Sequence, residues 1–214
     1  MLSGLLNWLP WTKKMRELHE ASSKGNLDKV QALLQAGVNP NGRRFVRYNY
    51  TPLMAAAGEG HLQVVKALLA ACANPNAQEK SAGITALETA ASGGHLQVTK
   101  MLLSAGANPN VRDINGWTAL MNAALSHRTE IVKALLEAGA DPNATNNFGD
   151  TALHYALDRN NKDNPSMVKI LLEAGANPYV SNENGQTAFT LAESTYKYES
   201  LNVLEEAMRR KRML

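Results

Sequence analysis

The groups in this chain best suited to chemistry near neutral pH are five histidines, His19, His61, His95, His127 and His154, and one cysteine, Cys72. A zinc-type site needs several such ligands at close spacing. No second histidine or cysteine stands two or four residues from His61, His95 or His154, and His19 and His127 carry no signal of their own. A reactive thiolate needs a neighbouring base or positive field. The neighbours of Cys72 are alanines and an asparagine, so a small buried or half-buried thiol is expected there. The sequence contains no Gly-rich phosphate loop with its lysine, no His-Glu-x-x-His, no Cys-x-x-Cys and no Gly-x-Ser-x-Gly. Aspartates and glutamates are scattered, one or two at a time, as solvated faces require. These patterns predict no catalytic site, no metal and no cofactor. A rival reading places an active site in a concave pocket near His154, Tyr155 and Asp158.

The composition sets the class. With 214 residues, 44% hydrophobic and 19% charged, the chain is long and apolar enough for a substantial core. A net charge of +3 argues against a dedicated polyelectrolyte binder, so nucleic acid is not the expected partner. One cysteine permits no intramolecular disulfide and suits a reducing compartment, so a cytoplasmic location is expected, or a nuclear one in a eukaryote. No apolar run approaches the roughly 20 residues of a spanning helix. The opening, Met1 to Trp11, has no basic leader and no small-residue cleavage pattern, so a secretory signal is not expected.

What must position any functional side chain is a repeat. Thr51-Pro-Leu-Met-Ala-Ala-Ala recurs as Thr85-Ala-Leu-Glu-Thr-Ala-Ala, Thr118-Ala-Leu-Met-Asn-Ala-Ala, Thr151-Ala-Leu-His-Tyr-Ala-Leu and Thr187-Ala-Phe-Thr-Leu-Ala-Glu, at intervals of 34, 33, 33 and 36 residues. A second landmark keeps step: Asn39-Pro-Asn, Asn74-Pro-Asn, Asn108-Pro-Asn, Asp141-Pro-Asn and Asn177-Pro-Tyr. Between them lie leucine pairs at 33–34, 68–69, 102–103, 135–136 and 171–172, each preceded by Val30, Val65, Thr99, Val132 or Val168 three residues earlier. That spacing is one apolar stripe on a short helix. Each unit is therefore predicted as two short antiparallel helices and a Gly- and Asn-rich loop. The threonines cap the first helices, whose alanines let neighbours approach closely. Gly37, Gly106, Gly139 and Gly175 end the second helices in a left-handed residue. Cys72 takes that place in one unit, with an expected strain of about 1 kcal/mol.

These residues, with Gly60-His61, Gly94-His95, Asn115-Gly-Trp-Thr118 and Ala105-Gly-Ala107 in register, resemble the ankyrin repeat family over about residues 13 to 210. The resemblance implies an all-α helix-pair solenoid with short β-hairpin or loop projections. Its units are expected at 13–50 (an N-terminal cap repeat), 51–84, 85–117, 118–150, 151–186 and 187–214 (a C-terminal cap repeat), after an apolar segment 1–12. The fifth carries an insertion, Asn160 to Pro165, between its helices. Structural roles are implied for His61 and His95 before the second helix, and a bond between loops for His154.

The resemblance also implies a non-catalytic protein-protein interaction scaffold that binds a protein or peptide through projecting tips and the concave face of the first helices. On this chain the tips supply Arg43, Arg44, Phe45, Arg47, Tyr48 and Tyr50, then Lys80 and Ile84, then Ile114, Asn115 and Trp117, then Phe148 and Asp150, then Glu183. Aromatic and Arg residues bury much area with few rotors, which interface centres favour. Trp117 has a competing role covering its own loop, but truncating it together with Phe148 is expected to spare the melting temperature. Residues 1 to 50 hold eight Lys or Arg against three acids, so a partner with an acidic patch is expected near the Arg43–Arg47 loop.

The two ends are read separately. Leu2, Leu5, Leu6 and Leu9 form an amphipathic pattern stopped by Pro10. The segment is expected to pack on the cap. Membrane contact is expected only through residues 1–11, and the alternative function is an accessory subunit of an enzyme or membrane-associated complex docked through them. Arg209 to Arg212 is read as basic residues at a helix's C-terminal dipole end, with a nuclear address as the alternative. The chain alone is expected to be monomeric.

Overall fold

A computed structural model describes residues 8–42, 50–158 and 162–212, with no side-chain detail at 8–12 and 210–212. Its contacts cluster into two halves, Met1–Asn108 and Pro109–Leu214. The N-terminal half holds α1 (Trp8–Ser23), α2 (Leu27–Gln35), α3 (Pro52–Gly58), α4 (Leu62–Ala70), α5 (Ala86–Gly93) and α6 (Leu96–Ser104). The C-terminal half holds α7 (Ala119–Leu125), α8 (Thr129–Glu137), α9 (Ala152–Ala156), α10 (Pro165–Glu173), α11 (Ala188–Ser194) and α12 (Tyr198–Arg212). Within each half the odd-numbered helices pack on one another in sequence, and so do the even-numbered ones. This is the all-α helix-pair repeat that the sequence predicts.

The first helix of each repeat forms where the threonine stands. The hydroxyls of Thr51, Thr85, Thr118 and Thr187 accept from the amides of Met54 (3.2 Å), Glu88 (3.2 Å), Met121 (3.4 Å) and Thr190 (3.4 Å), each occupying one otherwise unpaired donor of the first turn. Glu88 returns the bond by accepting from Thr85 N at 2.8 Å, and His154 Nδ1 does the same for Thr151 N at 3.1 Å. Ala56, Ala57, Ala90, Ala91, Ala123 and Ala124 are fully buried, because a methyl is all that fits where neighbouring first helices touch. On the second helices the first leucine of every pair is buried and the second half-buried, as the helical phase dictates. Thr99 is buried among the valines of this stripe and donates its hydroxyl to His95 O at 3.1 Å.

Second helices end on left-handed residues at Gly37, Gly106, Gly139 and Gly175, and at Cys72 with φ of 63°. The thiol of Cys72 is exposed, contrary to the buried or half-buried placement expected, because the left-handed turn directs it away from the stack. Among the described residues there is no strand, so the projections are loops. The three tips of the C-terminal half are each closed by two backbone bonds, Asp113 N to Trp117 O (2.9 Å) with Gly116 N to Asp113 O (3.0 Å), Asn146 N to Asp150 O (2.9 Å) with Gly149 N to Asn146 O (3.1 Å), and Asn182 N to Gln186 O (3.0 Å) with Gly185 N to Asn182 O (2.9 Å), and none extends into a ladder.

Pro10 does not stop the opening helix. It lies in the first turn of α1, where its missing N–H would have no helical partner anyway. The interval between α9 and α10 carries the expected insertion, of which residues 159–161 lie outside the described residues. Beyond them the Asp163 carboxylate accepts from Glu199 N (3.0 Å) and Ser200 N (3.3 Å) and from the Ser200 hydroxyl, so the inserted segment caps α12.

Candidate recognition surface

The tips are shaped by a residue that sequence reasoning passed over. Asp113 Oδ1 accepts from the amides of Asn115 and Trp117, both at 2.8 Å. Asn146 Oδ1 does the same for Phe148 (2.9 Å) and Asp150 (3.0 Å), and Asn182 Oδ1 for Asn184 (3.1 Å) and Gln186 (2.9 Å). One oxygen accepting from the second and fourth following amides turns the chain tightly. The signal was available: all three stand five residues before the threonine. Glu79, six before Thr85 in the longer loop, is buried and accepts from Ser81 N and Oγ at 2.9 and 2.7 Å.

In the C-terminal half the tips are tied to each other. Asn147 N donates to Asn115 O and Glu183 N to Phe148 O, both at 2.9 Å, while Asn147 Nδ2 donates to Ile114 O at 3.1 Å and Arg112 to Thr145 O at 2.7 Å. Below the tips a second set of bonds repeats. Asn110 Nδ2 donates to Gly139 O (2.9 Å) while its Oδ1 accepts from Asp141 N (2.8 Å), and Asn143 bridges Gly175 O (3.0 Å) and Asn177 N (2.7 Å) in the same way. In the N-terminal half Asn41 and Asn76 make the matching bridges to Cys72 O and Asn74 N, and to Gly106 O and Asn108 N. The last Asn of each Asn-Pro-Asn is thus a clip to the following loop. Tyr179 occupies that phase in the 151–186 repeat and packs beside Phe189 with ring centroids 5.9 Å apart.

The predicted contact residues divide accordingly. Arg43, Arg44, Phe45, Arg47 and Tyr48 lie outside the described residues. Tyr50 and Ile84 are half-buried and Lys80 is exposed, all in the N-terminal half. In the C-terminal half Ile114 is 62% and Phe148 57% exposed, Asn115 and Glu183 are exposed beside them, and Asp150 is half-buried. Trp117 is half-buried with its ring 4.3 Å from that of Tyr155, a contact that spans two repeats. It therefore supports the stack, and its truncation cannot be silent in stability as the sequence suggested.

The histidines are structural where the sequence placed them and also where it did not. His61 Nε2 donates to Ser23 O (2.9 Å), His95 Nε2 to Gly58 O (2.8 Å) and His154 Nε2 to Gln186 O (3.1 Å). His19, silent in the sequence, is buried with Nε2 3.0 Å from Gly42 O. His127 buries its Nε2 with no hydrogen-bond partner, and desolvation, then the charge of Lys197, holds its pKa below the ordinary value.

A hollow of about 280 Å³ does lie at His154, Tyr155 and Asp158. Both nitrogens of His154 are engaged, Nδ1 by Thr151 and Nε2 by Gln186. Burial first, then the Asp150 carboxylate, push the Tyr155 phenol well above its usual range, so it stays protonated. Neither group is poised as a base. Among the described residues no three His, Cys, Asp or Glu side chains converge as a metal site, and no helix is long and apolar enough to cross a membrane.

Comparison with protein families gives a match to the model described as ankyrin repeats, in three copies over residues 18–113, 73–146 and 120–208. No curated protein matches the chain.

Proposed function

The chain belongs to the ankyrin repeat family, whose members generally mediate protein-protein interactions, and from that premise we propose that it is a non-catalytic scaffold gripping a protein or peptide through its loop tips and first-helix face. The observation that carries this reading is the tied row of tips in the C-terminal half. Ile114 and Phe148 hold large apolar side chains in water, on loops whose backbones are fixed by Asn147 N to Asn115 O and Glu183 N to Phe148 O. Exposing such side chains brings the fold nothing, whereas tips already ordered lower the entropy cost of association. The single exposed thiol fits a reducing compartment, in keeping with a cytoplasmic protein that is monomeric until it meets its partner.

The test is comparative affinity capture with wild-type protein and the Ile114→Ala/Phe148→Ala pair. The variant is expected to lose the captured partner while melting within about 1 °C of wild type, because neither side chain is buried. Equal capture by both proteins would refute the assignment of the tips.

A further inference from the structure

The hollow between α9 and α11 lies directly under those tips, and its hydrogen-bonding balance is lopsided. The Ser194 hydroxyl donates to Leu191 O (3.2 Å), and that of Thr195 to Leu191 O (2.6 Å) with a longer approach to Leu157 O. Both N–H groups of the Asn182 carboxamide are spent, one on Asp150 Oδ1 (2.7 Å) and one on Gln186 Oε1 (3.2 Å). The Tyr155 hydroxyl donates to Asp150 Oδ2 (3.3 Å). The donors of Asn182, Tyr155, Ser194 and Thr195 are therefore committed internally, while the Asp150 carboxylate keeps lone pairs to spare. Among the described residues no lysine or arginine lines it, and its two acidic members are Asp150 and Asp158. Lys197 balances part of the Asp158 charge. Among the described residues Asp150 receives the neutral donors Asn182 and Tyr155, one per oxygen, and a carboxylate has about four lone-pair sites.

We propose that this hollow receives a basic side chain of the partner segment, arginine in preference to lysine. The inference rests on the scaffold reading and names the chemistry the partner must carry. A guanidinium is all donor, with five N–H groups in a planar fork, which is the complement of a carboxylate with lone pairs to spare. A volume of about 280 Å³ suits one side chain better than a drug-sized ligand, which fills about 300 to 1,000 Å³. Phe148, two residues before Asp150 in the same tip, is exposed and offers an apolar contact to a residue neighbouring that arginine.

The test uses N-acetyl-arginine amide and its neutral isostere N-acetyl-citrulline amide as probes, with the side-chain amide signals of Asn182, Asn184 and Gln186 followed by NMR. The arginine probe is expected to shift them saturably, more weakly as salt is raised, and to bind roughly tenfold tighter than the citrulline probe. Asp150→Asn, which keeps an acceptor for Asn182, is expected to abolish that preference. Equal shifts from the two probes on the wild-type protein, or an undiminished arginine preference in folded Asp150→Asn, would overturn the proposal. No shift with either probe would overturn it as well. The titration does not involve Ile114 or the captured partner. A null titration alongside tip-dependent capture removes the arginine hollow alone, and tip-independent capture removes the scaffold assignment.

Discussion

Cys72 offers a direct measurement of what one left-handed residue costs this fold. Its φ is 63°, where the other repeats place glycine at 79° to 93°. A Cβ built on Gly37, Gly106, Gly139 or Gly175 meets nothing within 4 Å, so the turn has room for a side chain and any penalty is one of backbone alone. For an L-residue that penalty is about 1 to 2 kcal/mol. Glycine gives back about 0.4 to 1 kcal/mol by enlarging the unfolded ensemble. Since the thiol is exposed and contributes little packing, Cys72→Gly is expected to stabilise the protein by about 0.5 to 1 kcal/mol, roughly 2 °C in Tm for a chain this long. Cys72→Ala separates the two causes, because it removes the thiol and keeps the Cβ, and it is expected to leave stability unchanged. Gly106→Ala, in the same half, is the reverse experiment and is expected to lose about the same amount. Urea midpoints at constant m value read all three. A Cys72→Gly midpoint at or below wild type, or a silent Gly106→Ala, would refute the argument that φ is the operative term.

Asn76→Ala deletes two bonds to the next loop, to Gly106 O and from Asn108 N, and at an exposed site is expected to cost about 1 to 2 kcal/mol by thermal melting. Asp163→Ala uncaps α12 and is expected to cost about 0.5 to 2 kcal/mol, with amide exchange accelerated in Glu199 and Ser200 before α9 responds. The depressed pKa of His127 means that the unfolded chain binds the proton more readily. Stability is therefore complete above the ordinary value near 6.5 and is lost as pH falls through the lower folded value. His127→Asn, whose side chain tolerates φ of 53°, is expected to flatten the dependence of Tm between pH 7 and 5; an unaltered slope would assign the acid sensitivity elsewhere.

The parts legible in the sequence are those whose chemistry is local. A threonine capping its own helix, a leucine on its own stripe and a residue forced left-handed at a helix end each act within five residues, so spacing along the chain reveals them. Each side chain that bridges repeats lay beyond that range. The Asn-Pro-Asn landmark was visible as a repeat, but its final Asn reaches a carbonyl 29 to 32 residues on. The stacking of Trp117 on Tyr155, the bond of His19 to Gly42 and the capping of α12 by Asp163 have the same character. The hollow near Tyr155 was anticipated as a place, but its donor-poor wall was not, since that depends on which way each hydroxyl and carboxamide is committed.

The irregular positions also have a physical order. Gly25, Gly60 and Gly94 precede the second helices with positive φ, and His127 and Tyr196 stand at the same phase with φ of 53° and 57°. Conformation alone therefore does not demand glycine there. At Gly25 and Gly60 space does: a Cβ on Gly60 would meet His95 Nδ1, and one on Gly25 would lie 2.7 Å from His61 Nδ1, because the histidine of the next repeat lies against the glycine while it reaches the preceding carbonyl. In the C-terminal half no such histidine follows. The repeat after His127 has Asn164 at that phase, Tyr196 is in the last repeat, and both tolerate a side chain. Gly60→Ala should therefore cost the backbone penalty of about 1 to 2 kcal/mol plus about 0.5 to 1.5 for the displaced bond to Gly58 O. His95→Ala removes the obstruction, so the double variant should lose less than the two single losses together. Urea unfolding of the four proteins gives the coupling, expected at about 1 kcal/mol. Strict additivity would mean that glycine stands there for its φ alone, and that His127 and Tyr196 are strained without compensation.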